Sequence, residues 1–139
     1  MKSMRSIRSR SFLLPLCLAA AIAVAAGCGD SSTMGKDLQI SNVQDSFQFQ
    51  VTDMKKYSKT FTYTWANSKN AATVNQACSI SEGTATLSIH DATGATVYSR
   101  NLKDNGTYPT NTGSAGGWTI ILSLSKVSGT LNFRVQAGP

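Results

Sequence analysis

From residue 38 onward, the apolar side chains of this chain recur at every second position. Leu38 and Ile40 alternate, then Phe47, Phe49 and Val51, then Phe61, Tyr63 and Trp65. Val74, Cys78 and Ile80 share one phase, with Gln76 in the same row. Ala85, Leu87 and Ile89 follow, then Ala95 and Val97, with Tyr98 on the other side. Trp118, Ile120, Leu122 and Leu124 form another run, and Leu131, Phe133 and Val135 close the series. A period of two puts one face of a strand against a core and the other in water. The intervening residues are mostly Thr, Ser, Gln and Asn, which suit a wet β face. No stretch beyond residue 38 has a helical period; Asp53–Lys59 reads either as one helical turn or as a loop.

Turn signals separate the runs. Glu82-Gly83 precedes one strand, and Asp91-Ala92-Thr93-Gly94 joins two as a hairpin in which Gly supplies a positive φ. Asp104-Asn105-Gly106 opens a loop that runs through Pro109 to Gly117, and Ser128-Gly129 separates the last two runs. About eight short strands in about 100 residues predict an all-β domain, a single antiparallel two-sheet β-sandwich over residues 38–139. A small barrel is the alternative closure. The core would be rich in aromatics, with Trp65 and Trp118 in phase with apolar neighbours.

The first 28 residues follow a different rule. Residues 1–11 (MKSMRSIRSRS) are basic, and residues 12–26 (FLLPLCLAAAIAVAA) are uncharged and apolar. Fifteen apolar residues fall short of the about 20 needed to span a bilayer. A basic head, a short apolar middle and a small-residue end form the pattern of a secretory signal. The run ends Val24-Ala25-Ala26-Gly27-Cys28, which resembles the bacterial lipobox, although Ala25 departs from the commoner Leu. The resemblance implies a diacylglycerol thioether on Cys28 and cleavage between Gly27 and Cys28, leaving residues 1–27 as a lipoprotein signal peptide. Two or three buried acyl chains anchor a protein stably without a spanning segment. The residue after Cys28 is Gly29 rather than the Asp that, in the enterobacterial family, retains a lipoprotein at the inner membrane. The family default is then the outer membrane. Residues 28–37 (CGDSSTMGKD) read as the lipidated Cys and a flexible tether.

That division changes how the charge is read. The 139-residue chain has 13 Lys and Arg, 7 Asp and Glu and a net charge of +6. Four of the basic residues (Lys2, Arg5, Arg8 and Arg10) precede residue 27, and every acidic residue follows it. Nine basic residues then face seven acidic ones, a near balance that gives no reason to expect a nucleic-acid partner. Lys55, Lys56 and Lys59 are the basic cluster that remains; it reads first as a solvated loop, with anionic headgroups or polysaccharide as the alternative. Of the three cysteines, Cys17 leaves with the signal and Cys28 carries the lipid. Cys78 has no partner for an intramolecular disulfide and reads as a buried apolar side chain.

Catalytic chemistry finds little to work with. His90 is the single histidine, and Asp91 beside it would point to the opposite face of a strand. Gly113-Ser114-Ala115-Gly116 lacks the spacing of a nucleophile elbow. One His and one Cys are too few for zinc, and Asp91, Asp104 and Asn105 read as turn residues before calcium ligands. No Gly-rich motif cradles a phosphate. The sequence therefore predicts no enzyme, no cofactor and no metal. Tyr98 and Tyr108 are the candidate exposed aromatics for stacking on a sugar ring. Residues 60–136 also resemble small exported bacterial lipoproteins and, distantly, the jelly-roll-like C-terminal modules of secreted peptidases, on the sequence TATLSIHDATGATVYSR followed by GSAGGWTIILSLSKVSGTLNFRVQ. The resemblance speaks to fold. The functional expectation is a non-catalytic envelope lipoprotein, tethered to a membrane by its lipid and acting on an envelope protein or polysaccharide. A carbohydrate- or peptidoglycan-binding module is the alternative, and a hydrolase comes third.

Overall fold

The computed structural model describes residues 31–139. The predicted signal peptide, the Gly27–Cys28 junction and Cys28 itself lie outside the described residues. The expected all-β, antiparallel architecture is the one the chain adopts. Its strands are β1 (Lys36–Val43), β2 (Ser46–Asn67), β3 (Ala72–Gln76), β4 (Ser79–His90), β5 (Thr96–Asn101), β6 (Gly106–Pro109) and β7 (Gly116–Ala137). Among the described residues no helix is long and apolar enough to cross a membrane.

The frame is a ribbon of two 22-residue strands, β2 and β7, paired from Ser46↔Gln136 to Asn67↔Gly116. Two apolar runs at 47–51 and 61–65 lie on the one strand β2, and the runs at 118–124 and 131–135 lie on β7. The segment Asp53–Lys59, expected as a helical turn or a loop, is instead the bulged middle of β2, with three register shifts between Val51 and Lys59. The Glu82-Gly83 and Ser128-Gly129 pairs, expected as turns, are bulges inside β4 and β7 at the same level. Conversely, the Val74–Ile80 row is broken at Ala77-Cys78 into β3 and β4, and β6 rises from the segment expected as loop. Positive φ angles line up across the bulges: Asp53 (53°) and Lys56 (43°) in β2, Lys126 (50°) and Gly129 (132°) in β7, and Gly83 (78°) in β4. A Cβ on Gly129 would drive into the Ser79 carbonyl oxygen, and one on Gly83 into that of Lys126. Only glycine fits both the left-handed backbone and the close approach.

This line of bulges is a crease. Across it the two halves of the ribbon face each other. Phe47 from the first half of β2 lies 5.2 Å, ring to ring, from Tyr63 of the second, and Phe49 lies 5.7 Å from Phe61. Phe133 stacks on Phe49 at 5.6 Å, and Trp65 meets Trp118 edge-on at 5.9 Å. At the end away from the crease, Asp45 N–H donates to Ala66 O at 2.8 Å and the Trp65 indole donates to Val43 O at 3.1 Å. All strands belong to one hydrogen-bonded sheet rather than two separate ones. One half runs β1-β2-β7-β3-β6; in the other, β4 adds to β7 and β5 to β4. Trp65 and Trp118 are fully buried, as their phase predicts; burying each removes about 150–250 Å² from water, roughly 4–6 kcal/mol as an upper bound.

Two expectations about the N-terminal side are corrected. Leu38 and Ile40, expected in the core, are 43% and 41% exposed. Ile40 stands opposite Phe49, on the apolar face, but among the described residues β1 pairs with β2 alone and has no second neighbour to cover it. Within the segment expected as tether to residue 37, Thr33 is already paired. Its N–H donates to Lys55 O at 2.9 Å and its carbonyl accepts from Lys55 N–H at 3.1 Å.

Candidate functional site

Alternation on the first half of the sheet has a chemical consequence on its outer side. While Phe47, Phe49, Phe133, Val135 and Val74 point inward, their neighbours along the strands point to water. Gln48 of β2 is opposite Arg134 of β7, Arg134 is opposite Asn75 of β3, and Asn75 is opposite Thr107 of β6. The result is a straight row of polar side chains across four strands. The Arg134 guanidinium donates to Gln48 Oε1 at 3.1 Å, and Asn75 Nδ2 donates to Thr107 Oγ1 at 2.8 Å. A second row places Gln136 beside Thr73, and Asn132 stands on the other side of Arg134 along β7. These seven side chains line one concavity, and no carboxylate is among them.

Strand spacing fixes the geometry of this face. Neighbouring rows are about 7 Å apart along a strand, and neighbouring strands about 4.8 Å apart. The face is therefore a regular grid of amide and hydroxyl groups, each able to donate and accept, with one permanent cation at its centre. Such a surface can hold a chain of hydroxyls or amides laid across the strands. Its guanidinium fork suits a carboxylate. None of its seven lining side chains is a His, Cys, Lys or carboxylate. The sequence shows the polar residues but not the site, because strand-to-strand register is what sets Gln48, Arg134, Asn75 and Thr107 in line. The available signal is the preference for Gln and Asn over Lys and Glu at the wet positions of those strands.

Tyr98 and Tyr108 do come together, but not as an exposed strip. Tyr98, expected at the surface, is buried at 7% exposure. It pairs with Ile89 in register and so faces the core. Its hydroxyl donates to Gln76 Oε1 at 2.7 Å, and Gln76 Nε2 donates to the Asn101 and Asp104 carbonyls at 3.1 and 2.8 Å. Burial, against the opposing pull of nearby Arg100, pushes the Tyr98 hydroxyl up to about 12. Tyr108 is half-buried, its ring covered by the Arg100 guanidinium at 3.8 Å and its hydroxyl bonded to Asn105 O at 3.1 Å. Tyr98 is thus enclosed, and one face of the Tyr108 ring is taken by Arg100.

The remaining candidates are structural. His90 ends β4, and its Nδ1 lies 3.1 Å from Gly94 O and 3.4 Å from Thr96 Oγ1, within its own hairpin. The Asp91 carboxylate turns elsewhere. Oδ1 accepts from Thr93 Oγ1 (2.7 Å), Thr93 N–H (2.9 Å) and Ala95 N–H (3.0 Å), and Oδ2 accepts from Ser114 N–H (2.9 Å). The Thr93 hydroxyl and the Ser114 amide hold the Asp91 carboxyl down to about 2. The two side chains of a possible dyad thus serve a turn. Cys78 is buried at 6% exposure, and burial raises its thiol above the ordinary range despite hydrogen bonds from Asn132 and Ala77. Asn105 brackets its backbone like a ladder partner, accepting from Cys78 N–H at 2.8 Å and donating to Cys78 O at 2.9 Å. Among the described residues, no three His, Cys or carboxylate groups stand together to hold a metal ion. No protein-family model matches this sequence, and no curated protein matches it closely enough to count as a relative.

Proposed function

We propose that this chain is an exported lipoprotein, anchored through Cys28 at the cell envelope with the outer membrane as its address, and that its β domain acts by binding and not by catalysis. The N-terminal pattern argues for the anchor. The observation that carries the binding role is the polar face of Gln48, Arg134, Asn75 and Thr107, in which Asn132, Thr73 and Gln136 point into the same concavity. An anchored domain that offers hydrogen-bonding groups in rows is suited to hold an extended polar polymer.

A second, narrower reading is favoured by one detail. Arg134 is the single charge in a groove of amides and hydroxyls without a carboxylate. That composition matches a saccharide strand whose attached peptides bear carboxylates, as in peptidoglycan. Two experiments test the pair of readings. Fatty-acid labelling of cells should mark the protein and lose the mark in Cys28→Ala; an unlabelled wild type ends the anchor reading. Co-sedimentation with purified peptidoglycan should be retained by the native domain. Arg134→Ala should weaken it by at least about tenfold, the worth of one charge-assisted hydrogen bond. Equal sedimentation of both proteins removes this face from the account.

A further inference from the structure

The charge of the folded domain is sorted by end. Lys36 opens β1 opposite Thr52, and Lys55 is bridged to Thr33, both at the crease. Lys56 and Lys126 share a hollow there with Glu82 and Gly83, and Lys59 follows directly on β2, opposite Leu124. A neighbouring hollow holds Lys36, Lys55 and Asp53. Five of the nine basic residues beyond residue 27 therefore meet at the crease end, whereas the sequence shows only Lys55, Lys56 and Lys59 as a group. A sixth, Lys103, lies at the same level beside Asp104, since Leu102 N–H donates to Ala85 O opposite Leu124. The acidic residues among them are Asp37, Asp53, Glu82 and Asp104, which leaves an excess of two positive charges. Lys36, Lys55, Lys59 and Lys126 are exposed. The opposite end has the other sign. Asp45 accepts from Ser68 N–H beside Lys69, and Asp91 is bonded to Ser114, whose neighbour Gly113 donates to Asn70 O.

The chain enters the domain at the positive end. Thr33 is held against Lys55 by two hydrogen bonds, and Thr33 is five residues after Cys28. Five residues reach at most about 18 Å when fully extended. A lipid on Cys28 would therefore hold the crease end close to the headgroups and keep the acidic end away. We infer that the crease end, with Lys36, Lys55, Lys59 and Lys126 outermost, is a membrane-facing surface that rests on anionic phospholipid headgroups. The inference builds on the anchor proposed above. It gives the domain a fixed orientation, with the loops around Asp45 and Asp91 pointing away from the bilayer. The polar face of Gln48, Arg134 and Asn75 would then stand on the flank of the domain, between its membrane end and its outer end. Electrostatic contact of this kind acts within a screening length of about 8 Å at physiological salt, so it requires the short connection that the Thr33–Lys55 pairing provides.

Lysine footprinting on the full-length protein, purified from bacterial membranes and reconstituted into vesicles, tests the orientation. Acetylation rates are read residue by residue by mass spectrometry, in phosphatidylcholine vesicles and in phosphatidylcholine–phosphatidylglycerol vesicles. The mass of the Cys28 peptide reports the anchor independently. On lipidated protein, Lys36, Lys55, Lys59 and Lys126 should each react about fivefold more slowly on the anionic vesicles, while Lys69 keeps its rate. Raising the salt should restore the four rates. Unchanged rates at the four lysines on lipid-bearing protein overturn the membrane-facing surface and leave the anchor intact. Equal slowing of all five lysines also overturns it, since that is the mark of general crowding. An unmodified Cys28 overturns the anchor and, with it, the orientation argued from the short connection.

Discussion

Asp91 shows how much of this molecule rests on single side chains that a sequence displays without explaining. A lone Asp ahead of a Thr and a Gly reads as a turn former, and it is one. What cannot be read is that its second carboxylate oxygen reaches Ser114, 23 positions along the chain, and so ties the β4–β5 hairpin to the segment leading into β7. An ordinary carboxyl titrates near 3.8, whereas this one is held down to about 2. The folded state thus favours the ionised form, and its contribution to stability is fully present above about pH 4 and fades as pH falls toward 2. The amide resonances of Thr93, Ala95 and Ser114 should titrate together with a midpoint near 2 in NMR spectra. A midpoint at the ordinary carboxyl value would mean that the hydrogen bonds do not hold the charge. Asp91→Asn should abolish the titration and leave the effect of Asp45, whose carboxyl is lowered by its bonds to Ser68. Tyr98 is the converse case. Its alternation marks the wet side, yet Gln76, in an apolar row, supplies the buried acceptor that lets the tyrosine turn inward. Trp65 and Trp118 needed no such partner to be placed, since both sit in phase with long apolar runs.

Strands were legible as strands because a period of two survives any arrangement of neighbours. Their ends were not. Gly83 and Gly129 read as turn residues because a turn and a β-bulge make the same demand on a backbone, a φ that only glycine accepts cheaply. The choice between them is made by what lies alongside, and here continuous pairing of β2 with β7 carries the chain straight through. The same ambiguity hid the polar face, since strand order and register decide which Gln stands beside which Arg. The crease is therefore the element whose failure should cost most. Gly129→Ala combines a φ of 132° with a Cβ aimed at the Ser79 carbonyl and should lower stability by at least about 2 kcal/mol in denaturant unfolding. Gly94→Ala, with a φ of 89° but open space around the added Cβ, should cost about 1 kcal/mol. A Gly129→Ala protein as stable as the Gly94→Ala protein would show that the bulge adapts.

At the level of the whole domain, fold class was readable and connectivity was not. The strands form one hydrogen-bonded sheet whose two halves face each other and share β2 and β7, so neither half owns its own frame. The two ends of the described domain also part company. The chain comes in at the crease beside Lys55, and Gly138 N–H is bonded to Ala71 O at the opposite end, 2.8 Å apart. From the crease outward β1 runs alongside β2, and the last stretch of β7 runs in the same direction on the other side of β2. A pull applied between Thr33 and Pro139 is thus directed along the strands. It strains the β1–β2 and β2–β7 hydrogen bonds all at once, as a rope loads a lap joint, instead of peeling them singly like a zipper. Stretched by its two termini in an optical trap, the domain should give way in one abrupt event at a higher force than when it is held through handles on β1 and β2 at the same end. Under the anchor proposed above, a load carried near Pro139 would meet that resistance before any strand could part from its neighbour.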